Sequence, residues 1–213
     1  LIYLEPDYGT TLTILGIFFI QIVFSDIKLR YPAFLLSISI FPLYLFATAS
    51  DYRRERIETF LTGKCQDGVD LLGDCFQLNQ SWIAISSGGL TGLGPGTSRA
   101  RWGMLPNAYT DFIVSITGEE YGFIGILVLT IIFLILIVSF YGMALTTNDN
   151  FKKLLLAGIA TWVGIQTILN LGGAVGLLPI TGIVLPFISY GGTAMVSIFI
   201  GLSLAHNENL DNE

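Results

Sequence analysis

Tyr121–Asn148 reads YGFIGILVLTIIFLILIVSFYGMALTTN and holds no charged residue. A helix crossing the hydrocarbon core of a bilayer needs about 20 mostly apolar residues, so this stretch contains one span. Three more uncharged runs follow the same pattern: Tyr8–Ser25, Tyr31–Ser50 and Leu154–Ala205, the last long enough for two spans. Transmembrane strands would instead be segments of about ten residues alternating in polarity. The expectation is an all-α, polytopic membrane protein with spans near 9–25, 33–50, 121–143, 154–173 and 184–205, and one large loop, 51–120. Composition agrees: 53% of the 213 residues are hydrophobic and 12% charged, against about 25% charged in soluble domains. Mean hydropathy is +0.71.

Charge orients these spans. Lys28 and Arg30 lie in one short connection, Lys152 and Lys153 in another. Both connections belong on the cytoplasmic side by the positive-inside rule. With five spans they share that side, and the loop 51–120 falls outside the cytoplasm. Arg53, Arg54 and Arg56 lie close to a span in that loop and pull the other way. The chain opens at Leu1, and LIYLEP reads as the tail of an earlier span, so a longer parent protein is expected.

The loop has its own organisation. DYRRERIETFLTG places Ile57, Phe60 and Leu61 on one helical face, with Gly63 as a stop, which fits an interfacial amphipathic helix or a solvated charged one. CFQLNQSWIAISSGGLTGLG is too short to span and suits a re-entrant or interfacial segment. Cys65 and Cys75 lack any metal-site spacing. In an oxidising exterior they would form a disulfide worth about 2–3 kcal/mol; otherwise they are two neighbouring thiols.

Candidate chemistry begins at LPNAYTDFI, Leu105–Ile113. Asp111 stands where apolar sequence resumes, and partial desolvation there would tune it towards a useful general base. Equally, Asp is a good N-cap for a helix starting near Phe112. Upstream, Gly88, Gly89, Gly92, Gly94 and Gly96 either let backbone amides approach an anionic ligand or simply permit a tight loop. Arg99 and Arg101 suit bidentate phosphate contacts, or a solvated basic face. Glu119 and Glu120 precede an apolar run and suit either a helix start or a cation, with the structural role favoured. Between the last two spans, Pro179, Pro186, Gly191 and Gly192 interrupt apolar sequence. Such breaks survive at membrane depth where backbone is buried in protein or lines a polar cavity. Gln166, Asn170, Ser189 and Tyr190 are candidates to line it, with ordinary kinks and small-residue helix contacts as the alternative.

These segments together resemble the FtsW/RodA/SpoVE family, the shape, elongation, division and sporulation glycosyltransferases. The resemblance rests on EPDYGTT, YRRERIETFL, QSWIAISSGGLTGLGPGTSR, LPNAYTDFI with GEEYGFIG, and LPITGIVLPFISYGG, in the family's order. Family proteins have about ten spans, so the chain corresponds to a C-terminal half. EPDYGTT and GMLPN lean towards the division branch.

The resemblance implies polymerisation of lipid II into glycan strands on the outer face of the bacterial cytoplasmic membrane, with release of undecaprenyl diphosphate. Asp111 matches the family's catalytic aspartate. Arg99, Arg101, Gln80, Ser81, Gly89, Ser189 and Tyr190 fall at the positions expected to bind substrate. No cofactor is implied beyond a divalent cation, left open, with its ligands unknown. The implied partners are a class B penicillin-binding protein and membrane lipids, with no nucleic acid. Tyr109 stands where the family usually has His, and Thr181 where some members have Lys. A lipid II flippase, which needs a polar cavity but no base, and a noncatalytic divisome scaffold are the two alternative classes.

The orientation is testable by thiol labelling. A cysteine introduced at Asn107 should react with an impermeant thiol reagent in intact spheroplasts, and one at Asn150 should not; the reverse pattern overturns the topology.

Overall fold

A computed structural model of the chain describes residues 8–25, 27–28, 30–31, 34, 37–38, 58–63, 65 and 75–207. The main helices among them are α1 (Tyr8–Phe24), α2 (Phe76–Gly88), α3 (Ile113–Thr146), α4 (Asn150–Val175) and α5 (Gly192–Asn207), with a 3₁₀ turn at Ala100–Trp102. No strand occurs among the described residues. The fold is that of an all-helical integral membrane protein.

The helix α4 is the central one, packed against α1 and α3. Its start is capped by Asp149, which accepts the Phe151 amide at 2.8 Å, and it ends at Gly176, left-handed at φ 79°. Small residues bring the neighbours close: Gly158 faces Ile17 and Gln21 of α1, and Gly164 faces Ile137 of α3. The apolar window of α4 is 50% buried within the protein, against 17% for α3. Most of α3 therefore turns its apolar surface away from the described helices.

Gly9 lies against Ile183, Gly16 against Thr161 and Ile165, and Gly158 against Gln21, so α1 runs antiparallel to α4. Lys28 and Arg30, which follow α1, consequently share an end of the bundle with Lys152 and Lys153. The loop carrying Asp111 lies at the opposite end.

One interruption shapes the whole of that end. Within α3, Gly122 has φ 68° and ψ −164°, a conformation essentially restricted to glycine. The segment after α2 fills the gap this opens. Leu93 and Gly94 donate their amides to the Glu119 and Glu120 carbonyls, both at 3.0 Å. In return, Phe123 and Ile124 donate to the Gly89 and Leu90 carbonyls at 2.9 and 3.1 Å. Groups freed by the break thus find partners without water, as a membrane-embedded backbone requires. No side chain fits between the two segments: a Cβ on Gly88 would lie 2.0 Å from the Gly118 carbonyl oxygen, and one on Gly92 2.1 Å from that of Glu120.

The re-entrant segment expected from the sequence corresponds to α2, whose 13 residues are too few to cross. Ser81 fixes it. That side chain is fully buried, its hydroxyl 2.6 Å from the Ser115 hydroxyl and donating to the Ala174 carbonyl at 2.6 Å. Cys65 and Cys75 form a disulfide, which ties the segment before α2 to its N-terminus. Residues 58–61 are helical and end at Gly63, left-handed at φ 66°. Ile57 and the arginines before it lie outside the described residues. So does most of the span expected at 33–50, of which residues 34, 37 and 38 are helical.

Two helix starts differ most from expectation. The third span was expected from 121, but α3 begins at Ile113, with the break at Gly122 inside it. The last was expected from 184, but α5 begins at Gly192. Pro186 has no amide proton to offer a helix, and Phe187 sits in the left-handed region at φ 64°. The residues 184–191 accordingly form an irregular connection instead of a first helical turn.

Gly122→Ala should lower stability by about 2–5 kcal/mol, because Ala adopts this backbone only under strain and its Cβ would sit 2.4 Å from the Gly92 nitrogen. Gly142→Ala, where nothing lies within 4 Å, is the control and should melt within a degree or two of the parent. Equal melting temperatures for the two variants in detergent would remove the seal from the fold.

Candidate active site

The loop entering α3 is wound around one carbonyl. Asn107, left-handed at φ 56°, accepts the amides of Thr110 at 3.1 Å and Asp111 at 3.0 Å through its backbone oxygen. The N-cap position of α3 falls to Phe112, one residue beyond Asp111, and the Phe112 side chain is buried in the core. Phe112 thus anchors the loop and leaves Asp111 at its edge.

Bonds from distant sequence hold the loop in place. Asn170 of α4 donates through Nδ2 to the Asp111 carbonyl at 2.9 Å and the Ile183 carbonyl at 2.7 Å. Ser189 donates to the Thr110 carbonyl at 2.5 Å and accepts the Leu185 amide at 2.8 Å. The Tyr190 amide donates to the Tyr109 carbonyl at 2.9 Å. Both Asn170 and Ser189 are buried, so these bonds are shielded from competition by water. The loop 107–112 and the connection 181–190 form one unit, although about seventy residues of sequence separate them.

The Asp111 carboxylate faces the backbone of Gly182, where a Cβ would come 3.7 Å from Oδ2. Asp111, Asn170, Thr181, Gly182 and Ile183 line a tight crevice of about 10 Å³. Among the described residues, Asn107 and Phe187 are the non-glycine positions with left-handed backbone. One lies on each side of this unit, and such strain collects where surrounding structure over-determines a functional geometry.

The arginines are set by the acid pair at the break in α3. Glu119 is 2% exposed and accepts the Ser98 hydroxyl at 2.6 Å and the Ala100 amide at 3.1 Å. This pins the turn that carries both arginines. Arg101 lies 3.6 Å from Glu120 and over the Trp102 ring at 5.3 Å. Interaction with Tyr109, then the charge of Glu120, outweighs desolvation and raises the Arg101 pKa. Arg99 is exposed and lines a separate cavity of about 270 Å³ with Gln80, Ser87 and Glu119.

The remaining candidates sit differently. Leu93 and Gly94 give their amides to carbonyls at the helix break, and Gly89 gives its amide to Ser86 at the end of α2. Tyr190 leaves its side chain 82% exposed above the loop. No three His, Cys, Asp or Glu side chains come together among the described residues.

Sequence reasoning named Asn170 only as a cavity liner. The signal for more was present: a polar amide in an apolar span is costly unless its bonds are made. The Ser98–Glu119 pairing had no local signature.

The model of the FtsW/RodA/SpoVE family, described as a cell cycle protein, matches residues 1–211. The chain belongs to this family. It is 36% identical over 203 residues to the probable peptidoglycan glycosyltransferase FtsW of Geobacter metallireducens, covering 95% of this chain and 53% of that protein. Against the stage V sporulation protein E of Bacillus subtilis it is 33% identical over 207 residues, covering 97% and 56%. A solved structure described as "Structural coordination of polymerization and crosslinking by a peptidoglycan synthase complex" superposes with a TM-score of 0.69 at 27% identity, covering 95% of this chain and 55% of that one. This family member thus spans about half the length of the curated relatives it matches.

Proposed function

We propose that the complete protein polymerises lipid II into glycan strands, with Asp111 as the general base. The observation that carries this reading is the placement of Asp111: a carboxylate on a loop clamped by buried hydrogen bonds, facing the glycine backbone of residue 182. A base must be held within hydrogen-bonding reach of the proton it removes. Family membership and the names of the relatives support the same reaction.

In this mechanism the Asp111 carboxylate takes the proton of the acceptor sugar's 4-hydroxyl. The freed oxygen attacks the anomeric carbon of the donor and forms the glycosidic bond. The bond to the diphosphate breaks as it forms, so the configuration inverts and undecaprenyl diphosphate leaves with the electron pair. Negative charge therefore grows on the diphosphate. Arg99 and Arg101, on the turn pinned by Glu119, are the cations that offset it. Gln80 and Arg99 line one cavity, which suits a polar part of the substrate. Ser189 and Tyr190 contribute by holding the Asp111 loop, Ser81 by fixing α2, and Gly89 by accepting the Phe123 amide at the helix break.

The site works on the extracytoplasmic face of the bacterial membrane, at the end of the bundle away from Lys28, Arg30, Lys152 and Lys153. The Cys65–Cys75 disulfide at that end fits an oxidising compartment. The partner is a class B penicillin-binding protein, a reading supported by the similar structure of a peptidoglycan synthase complex.

Asp111→Asn in the complete protein should cut lipid II polymerisation by about 10²–10⁴-fold, with expression and membrane insertion retained. The assay uses the purified complex with cross-linking blocked. Near-parental polymer from this variant would transfer the weight to a flippase or a scaffold, neither of which needs a base.

A further inference from the structure

We propose that Asn170 is a positioning residue for the reaction: its amide sets the Asp111 loop against the connection 181–183 and thereby aims the carboxylate. This rests on the catalytic reading of Asp111 and adds to it a residue that does not touch the reacting atoms.

The geometry is specific. Both Nδ2 protons are committed, one to the Asp111 carbonyl at 2.9 Å and one to the Ile183 carbonyl at 2.7 Å. An amide nitrogen has two donors and no more, so Asn170 bridges these strands of chain and nothing else through that end. Two carbonyl acceptors also settle which end of the amide points there, since an oxygen would repel both. The residue is 3% exposed. It projects from α4, the helix most embedded in the bundle, so the reference point is rigid.

The bridge acts at the right place. Asp111 is held by its own carbonyl, one peptide unit from the side chain that does the chemistry. On the other side, Ile183 follows Gly182, whose backbone faces Oδ2. Fixing 111 and 183 to one nitrogen therefore fixes the distance between the carboxylate and the wall it faces. Ser189 makes a parallel tie one residue upstream, at Thr110. That tie keeps the loop attached when Asn170 is changed, so its loss should misplace the base and leave the fold in place. A small displacement of a base is sufficient to cost one to two orders of magnitude.

Asn170→Leu removes both donors at similar size. Asn170→Asp keeps the shape and replaces the donor with an acceptor facing two carbonyls. Each is made in the complete protein with its partner, and kcat and KM for labelled lipid II are measured beside Asp111→Asn. The expected result is a 10- to 100-fold fall in kcat, KM within threefold of the parent, and a melting temperature that leaves the protein folded in the assay. If Leu prevents folding, the Asp variant carries the same criteria. Parental kcat in a folded variant overturns the proposal, as does a loss confined to KM. Because Asp111→Asn is in the same series, the two readings separate: an inactive Asp111→Asn with a fully active Asn170 variant sinks the positioning role alone, whereas an active Asp111→Asn sinks the catalytic reading beneath it.

Discussion

Backbone that leaves helical geometry inside a membrane must find hydrogen bonds within the protein, because lipid offers none. The reciprocal bonding between residues 89–94 and 119–124 meets that demand at Gly122, and the rest of this end of the molecule is arranged around it. Closing the break requires glycine on both sides, at Gly88, Gly92 and Gly122. The same closure directs Glu119 inward to Ser98 and the Ala100 amide. A buried carboxylate is costly unless hydrogen-bonded, and here its partners are the residues that hold Arg99 and Arg101. One helix interruption thus supports a cationic turn.

A second interruption supports the acid. The connection between α4 and α5 bends through Gly182, Pro186 and Phe187 and returns its polar groups to the loop 107–112. Ser189 and Tyr190 reach that loop directly, and Asn170 ties it to the helix behind. Cation and carboxylate are thus supported at the same end by separate devices. Division of labour of this kind places irregular sequence on rigid supports.

Much of this was legible in the chain, and the limits are physical. Uncharged runs such as Tyr121–Asn148 announce helices because lipid tolerates little else, and motif order identified the family. Glycines were harder. Gly88 and Gly92 read equally well as an anion cradle, since the residue type signals close approach without saying to what. Their partner is backbone some thirty residues onward, and pairing at that distance leaves no periodicity. The start of α5 was placed too early because apolar composition persists through Val184–Phe187; Pro186 signals an interruption, and the left-handed backbone at Phe187 shows that the helix has not begun. Asn170 was noticed for its polarity, but its two acceptors are main-chain carbonyls, and every residue type carries one.

Amide hydrogen exchange on the membrane-embedded protein tests the central claim most directly, that these glycine-rich and irregular segments are hydrogen-bonded supports. Leu93, Gly94, Phe123 and Ile124 should exchange slowly, on the timescale of the α3 and α4 interiors, and the Tyr190 amide should be protected with them. Exchange at these positions as fast as in an open loop would contradict the account.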